Sequence, residues 1–269
     1  MRWLLLPLLA IALLASVETC PEHLLIQGPE RRYVPPVPVA TPGAPWGADA
    51  AGRDMGCLMS RGLGRSLEIG FVALLLGVPF GLLLGLLFGW RGLSLGIAGE
   101  IFILAGLLLL FGAEVYRLAL ALGVALFIGR AVATRVHAVL VEPYIEGARA
   151  LGGGGVHILR AHVLPHLLPL LPGTLAVGFG MTFLWMAELA VLGFHDRGVF
   201  SIDFAGGPAP VSAVRFFAAD PDLGQFIGWA RYEWLYYADQ LFLPALLLVV
   251  LYLAFGDLGR ALGKEEHSS

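Results

Sequence analysis

The chain has 269 residues, of which 58% are hydrophobic and only 14% are charged. Soluble domains usually carry about 25% charged residues, so this composition argues against a soluble protein and predicts an integral membrane protein. The net charge of −3 gives no case for nucleic-acid binding.

Apolar segments long enough to enter a membrane recur along the chain. Inside a bilayer every backbone polar group must be satisfied within the segment, so each segment is predicted to be a helix. Ser66 stands just before the second segment and is predicted to be its N-cap. The fold class is therefore predicted to be all-α and polytopic, with about six transmembrane helices. The segments cover residues 3–17, 67–90, 93–112, 115–130, 170–194 and 241–255.

Basic residues indicate how these helices are oriented. The connection between the fourth and fifth segments is rich in arginine, and Arg260 and Lys264 follow the sixth. The positive-inside rule places these residues in the cytoplasm, together with both chain termini. Segments 18–65 and 195–240 then lie outside. The arginines of the cytoplasmic connection are Arg130, Arg135, Arg149 and Arg160.

The N-terminal region allows more than one interpretation. Residues 1–17 are predicted to be a retained first helix, although a cleaved signal peptide has a similar composition. Residues 18–65 are predicted to be an external segment, rich in proline and extended, that leads into the second helix. Cys20 and Cys57 both fall in this segment. They either form a disulfide or remain two thiols, and spacing alone does not decide between these alternatives.

The arginine-rich connection carries a recognisable pattern. Glu146, Gly147 and Ala148 are followed by Gly152, and at a fixed spacing by Leu164 and Pro165. This pattern closely resembles the E-A-A-x-x-x-G loop, followed by I-x-L-P, of bacterial ABC-transporter permeases. In that family the loop couples the permease to an ATPase subunit. The resemblance implies that these residues form an ATPase-coupling loop, within 141–166.

Three other stretches narrow the resemblance to one branch of this family. They are similar to the C-type permease subunit of dipeptide, oligopeptide and nickel importers. Residues 196–220 look like an insertion relative to that subunit. The stretches are Trp46-Gly47-Ala48-Asp49 with Gly52-Arg53-Asp54, then Ala187-Glu188-Leu189 with Gly193-Phe194, and finally Gly256-Asp257-Leu258-Gly259-Arg260.

The resemblance implies a fold, a set of partners and a location. It implies a type I ABC importer permease fold, with a core at 66–262 and a cytoplasmic tail at 263–269. The chain would not be an enzyme and would bind no cofactor, because ATP and magnesium would be held by two partner ATPases. A homologous second permease, membrane lipid and an external solute-binding protein are the other expected partners. The location implied is the bacterial cytoplasmic (inner) membrane, and the solute is a peptide or similar small molecule.

One departure from the family pattern affects the loop. Glycines follow Gly152 at positions 153–155, where the family has few. Each glycine disfavours a helix by about 1 kcal/mol, so we expect a looser coupling element or one that its partner orders. The sequence has no phosphate-binding G-x-x-x-x-G-K motif followed by Ser or Thr, which agrees with ATP being handled by another chain.

Carboxylates in the apolar segments support a second hypothesis. Intramembrane charge is costly, so Glu100 and Glu188 are candidates for the translocation pathway. Glu114 and Arg117 are spaced to pair on one helix face. An ion-coupled secondary transporter would use these carboxylates as proton carriers, and a structural scaffold is a third option. Three nearby histidines do not have the spacing of a metal site. They are His157, His162 and His166.

Overall fold

The computed structural model describes most of the chain. The described residues are 27–28, 31–32, 40, 45–48, 53–93, 100–112, 115–196, 199–203, 214–218, 221–230 and 238–265. Helices dominate this part of the chain. They are α1 (Met55–Trp90), α2 (Glu100–Phe111), α3 (Tyr116–Leu140), α4 (Pro143–Ala150), α5 (Gly155–Ile158), α6 (Leu164–Leu167), α7 (Leu170–Val191), α8 (Leu223–Ala230) and α9 (Ala238–Glu265), with a π-helical turn (Leu159–Val163) between α5 and α6.

Four of these helices are long and apolar enough to cross a membrane, by length and composition. They are α1, α3, α7 and the Leu241–Gly263 stretch of α9, which match the predicted second, fourth, fifth and sixth segments. The predicted helical character is thus confirmed, and the four long apolar helices agree with the membrane protein predicted from composition. The third segment contains a shorter apolar helix, Ile101–Phe111. The first segment, residues 3–17, lies outside the described residues, so the number six stays a prediction.

The fourth segment is longer than the sequence predicts. It was expected to end by Arg130, but α3 continues to Leu140. Arg130 and Arg135 therefore lie in a helix and not in a loop, and that part of the prediction is wrong. The extension is amphipathic, since Val132 and Val136 are buried while Arg135 is exposed. Long arginine side chains can remain in water while their helix packs, which explains why charge alone did not mark the helix end.

The start of α1 also differs from the prediction. Ser66 does not cap it, because α1 already begins at Met55. Asp54 is the residue at its N-terminus, and the backbone N–H of Cys57 donates to Asp54 Oδ1 at 2.8 Å. The Met55 N–H donates to the carbonyl oxygen of Gly47 at 3.1 Å. The turns before the apolar run mix polar and apolar residues but are helical, so the true cap lies well upstream of the continuous hydrophobic run.

Two short antiparallel strand pairs accompany the helices. Strand β1 (Gln27–Gly28) pairs with β2 (Arg31–Arg32), and β3 (Val199–Asp203) pairs with β4 (Val214–Ala218). The sequence analysis treated residues 196–220 only as an insertion and did not predict β3 or β4. Their valine, isoleucine and phenylalanine content favours strands.

The described chain divides into two compact units. The first unit contains the described residues of Gly70–Trp185 and Leu251–Ser269, and the second contains those of Trp3–Ile69 and Met186–Val250. The loop with the Glu146 pattern belongs to the first unit.

In the first unit, glycines on α1 allow α3 to approach very closely. A Cβ atom added at any of them would lie 2.6–2.8 Å from a backbone carbonyl oxygen of α3, closer than real Cβ atoms come. No side chain fits between the two helices along this stripe, so their backbones touch over most of its length. The stripe is formed by Gly77, Gly81, Gly85 and Gly89, which face the carbonyls of Ala121, Ala125, Gly129 and Ala133 respectively.

Helices α7 and α9 also make a close crossing in the first unit. A Cβ at Gly259 would lie 2.7 Å from the carbonyl oxygen of Gly173. Further along, the ring centroid of Phe179 lies 5.1 Å from that of Phe183 and 4.6 Å from that of Phe255, in edge-to-face geometry. The small residues and the aromatic cluster together fix the relative position of these two helices.

The second unit contains a buried polar cluster around the start of α8. Asp222 Oδ1 accepts the backbone N–H groups of Gly224 at 2.7 Å and Gln225 at 3.1 Å, so Asp222 is the N-cap of α8. Ser66 Oγ accepts the Leu223 N–H at 3.0 Å. The serine expected to cap its own helix therefore satisfies the first N–H of a distant one.

Burial in this cluster, aided by the nearby Asp196 carboxylate and opposed by the backbone hydrogen bonds, raises the pKa of Asp222 to about 7. A raised carboxyl pKa means that the folded state holds the proton more tightly than the unfolded chain. Stability should therefore fall as pH rises from about 4 to about 7, by up to about 4 kcal/mol, since each pKa unit corresponds to about 1.4 kcal/mol.

Changing Asp222→Asn keeps the cap acceptor and removes the titration. We expect the melting temperature of the wild-type protein in detergent to fall between pH 5 and pH 8, and that of the Asn variant to change much less. Asp222→Ala should lower stability at every pH, by about 0.5–2 kcal/mol, because the cap is lost. An Asn variant with the wild-type pH dependence would show that Asp222 is not the group responsible.

Candidate functional site

The loop between α3 and α7 starts with a short exposed helix. Helix α3 ends at Leu140, and Glu142 adopts an extended conformation as the N-cap of α4. Pro143 occupies the first helical turn, where its missing N–H leaves no bond unmade. Ile145 is fully buried and anchors α4 to the first unit.

Gly152 lies just beyond the C-terminus of α4 and reverses the chain. Its φ is +88°, in the left-handed region that favours glycine. The Gly153 N–H donates to the Ala148 carbonyl oxygen at 2.9 Å, and the Gly152 N–H donates to that of Arg149 at 3.0 Å. These bonds satisfy carbonyls that the helix end would otherwise leave open.

The remaining glycines of the run have defined places. A Cβ at Gly153 would lie 2.7 Å from the Ala148 carbonyl oxygen, and one at Gly155 would lie 3.3 Å from the ring of Trp90. Gly154 is the N-cap of α5. The run thus joins two helices through one tight turn. The expectation that it loosens the loop concerns motion, and it stays a prediction.

A widened helical turn precedes Pro165. The Leu164 N–H bonds to the carbonyl oxygen of Leu159, five residues earlier, which is the π-helical pattern. Proline has no N–H, and its ring crowds the carbonyl four residues before it, so a wider turn removes the conflict. Pro165 then sits in the first turn of α6.

The two halves of the sequence pattern therefore lie on different helices. Glu146, Gly147 and Ala148 lie on α4, whereas Leu164 and Pro165 lie on α6. The halves are linked through rings, since the centroid of Tyr144 on α4 lies 5.6 Å from that of His162 in the π-helical turn. The ring of His162 also lies 6.0 Å from that of His157 on α5.

The exposed surface of this loop combines apolar and charged side chains. Leu151 is 91% exposed, Val156 66% and Tyr144 45%, and the charged groups Glu146 and Arg149 are exposed beside them. We call these five residues the loop surface. Large apolar side chains this exposed on a short, well-defined hairpin are typical of a contact site for another protein.

The intramembrane carboxylates are only partly described. Glu188 lies on α7 with an exposed side chain. Glu100 is the first residue of α2, and nothing is described of its side chain. Glu114 lies outside the described residues, so its pairing with Arg117 stays a prediction. The same holds for the Cys20–Cys57 disulfide, because Cys20 also lies outside them.

A comparison with protein-family models found no match, and a comparison with curated proteins found no significant similarity. The resemblance to ABC permeases therefore depends on the residues of the loop and on the stretches quoted with it.

The sequence analysis missed three residues of the loop surface, one of which is Tyr144. Leu151 and Val156 were not singled out, because the family pattern leaves their positions open. Their signal was nevertheless present, since an apolar residue directly beside a glycine run and far from any apolar segment has no helix face to pack on.

Proposed function

We propose that this chain is the transmembrane permease subunit of an ATP-driven importer. It forms half of the translocation pathway for peptides or similar small solutes. The loop surface carries this proposal, because an exposed helix with a fixed end and uncovered apolar side chains is what a partner ATPase needs for docking.

The geometry of α4 suits a rigid lever. The buried side chain of Ile145 anchors α4, and the ring contact between Tyr144 and His162 joins α4 to the π-helical turn. Gly152 ends the helix. A force applied at the loop surface would be passed on to α3 and α7, which flank the loop in the chain. Such a lever can move as one body without deforming.

The expected partners follow from what the chain would need to work. ATP hydrolysis is assigned to two partner ATPases, since the sequence has no phosphate-binding loop. A homologous second permease would complete the pathway, and an external binding protein would deliver the solute. The site of action is the bacterial cytoplasmic membrane, with the loop surface and both termini on the cytoplasmic side.

In this mechanism the two permeases alternate between inward-open and outward-open states. Closure of the ATPases on ATP pulls both coupling loops, and the membrane helices follow. Glu188, exposed on α7, is a candidate for the pathway surface. The chain itself carries out no chemical step.

Covalent capture from Leu151 tests this proposal. A photoreactive phenylalanine at Leu151 in growing cells should cross-link to a nucleotide-hydrolysing subunit, identified by mass spectrometry. The matched control is the same residue at Leu110 on α2, which is 80% exposed and apolar but distant in sequence from the loop. Capture of the ATPase from neither position, with dipeptide uptake that depends on the proton gradient, would instead favour an ion-coupled transporter.

A further inference from the structure

A pocket in the first unit combines arginine side chains with an apolar floor. It has a volume of about 490 Å³ and is lined by parts of α3, α6, α7 and α9. Arg135, His166 and Arg260 contribute its basic groups. Phe127, Leu170 and Val177 contribute much of its apolar surface.

The basic groups lie at the helix ends nearest the loop. Arg135 is in the last turns of α3, Arg260 is in the last turns of α9, and His166 precedes α7. Phe127 and Val177 lie further into the membrane-spanning helices. The pocket is therefore charged toward the helix ends and apolar toward the middle of the helices.

The charge around this pocket is predominantly positive. A neighbouring pocket of about 520 Å³ shares Phe127 and Arg135 with it and adds Arg130. None of the described residues that line these two pockets is acidic. Beside the pocket, Asp257 Oδ1 lies 3.8 Å from Arg260, a long contact between exposed side chains that is worth little.

The histidine is oriented by a backbone contact. The Nδ1–H of His166 donates to the carbonyl oxygen of His162 at 2.6 Å, which directs this nitrogen to the protein. The other ring nitrogen, Nε2, is the polar atom of this side chain that can contact a ligand. Glycines complete the pocket, because Gly173, Gly259 and Gly263 line it without filling it.

We propose that this pocket binds one anionic phospholipid, with its phosphate between Arg135 and Arg260 and one acyl chain along Phe127 and Val177. Arginine is suited to phosphate because its planar guanidinium donates paired hydrogen bonds. Basic pockets between membrane helices, at the membrane boundary, are known to accept anionic headgroups. The inference does not depend on the proposed transport function.

Lipid titration with native mass spectrometry tests the site on the full chain in mild detergent, with phosphatidylglycerol as the probe. We expect one tightly bound lipid per chain. Arg260→Gln should weaken binding by about tenfold, through loss of a charge-assisted hydrogen bond. Gly263→Leu should weaken it similarly by filling the pocket, since a Cβ there meets no atom within 4 Å and the fold is undisturbed.

Two controls separate the site from general effects. Arg91→Gln removes an exposed arginine that lies outside the pocket, and Gly256→Leu adds the same side chain on α9 at a position with equally open space. Both should bind lipid like the wild type. Wild-type binding by Arg260→Gln and Gly263→Leu would overturn the proposal. So would inorganic phosphate that displaces the lipid at equal concentration, because the site would then take free phosphate.

Discussion

Replacing Gly85 with leucine will separate α1 from α3 and destabilise the protein. A Cβ at this position would lie 2.6 Å from the Cβ of Val132 and 2.8 Å from the carbonyl oxygen of Gly129. Backbone cannot move aside as a flexible side chain can, so the helices must part. Overpacking costs about 1–3 kcal/mol, which corresponds to a fall of roughly 2–12 °C in melting temperature for a chain of this size.

The matched control for this change is Gly106→Leu on α2. A Cβ at Gly106 meets no atom within 4 Å, so the same side chain enters open space. Its melting temperature in detergent should stay close to that of the wild type, and Gly85→Ala should fall between the two. Equal stability of the Gly85 and Gly106 leucine variants would contradict the close helix contact.

The sequence predicts the helices of this protein better than their limits. A membrane helix can be recognised from the length of its apolar segment, and this criterion placed α1, α3, α7 and α9 near their true positions. Their ends are set by tertiary packing and capping. Helix α3 runs past Arg130 because the face that carries Val132 and Val136 is still buried, and α1 starts at Met55 because Asp54 caps it.

Within the loop, local rules worked where the structure depends on local conformation. The family pattern has glycine at position 152, and the φ of +88° there favours a residue without a side chain. The exposure of Leu151 depends instead on which parts of the chain pack nearby. The π-helical turn before Pro165 depends on a steric conflict between the proline ring and a backbone carbonyl of the preceding turn. A pattern of residue types contains neither piece of information.

Contacts between distant parts of the chain could not be predicted at all. Ser66 Oγ accepts the N–H of Leu223, although the two residues are far apart in sequence. The chain contains 36 glycines, which permit close helix packing in lipid, but only the structure pairs the α1 stripe with α3. The basic pocket likewise arises from parts of four helices, and its two arginines, Arg135 and Arg260, lie far apart in the sequence.

The second large effect is expected at Gly152. Valine at φ +88° is strained, and a left-handed conformation costs a residue with a Cβ about 1–2 kcal/mol, more when it is β-branched. The end of α4 should shift to relieve the strain and misplace Leu151 and Arg149. Reversing the charge with Glu146→Lys should disturb the same surface. In the assembled transporter we expect both variants to insert into the membrane and to uncouple ATP hydrolysis from transport.

Gly112→Val is the control that separates coupling from strain. Gly112 also has a positive φ, +76°, and a Cβ there also meets no atom within 4 Å, but it ends α2 and lies outside the loop. Its strain is therefore comparable, while its distance in sequence from the loop surface leaves the proposed docking intact.

The central claim is that the loop between α3 and α7 passes on a movement driven by ATP. Its most direct test is to measure ATP hydrolysis and uptake of a radiolabelled dipeptide in the same proteoliposomes, for the wild type and the three variants. The account predicts that Gly152→Val and Glu146→Lys hydrolyse ATP at near wild-type rates while uptake falls about tenfold, equivalent to about 1.4 kcal/mol of lost coupling, and that Gly112→Val keeps both activities. Undiminished uptake by the two loop variants, or uptake without ATP, would contradict it.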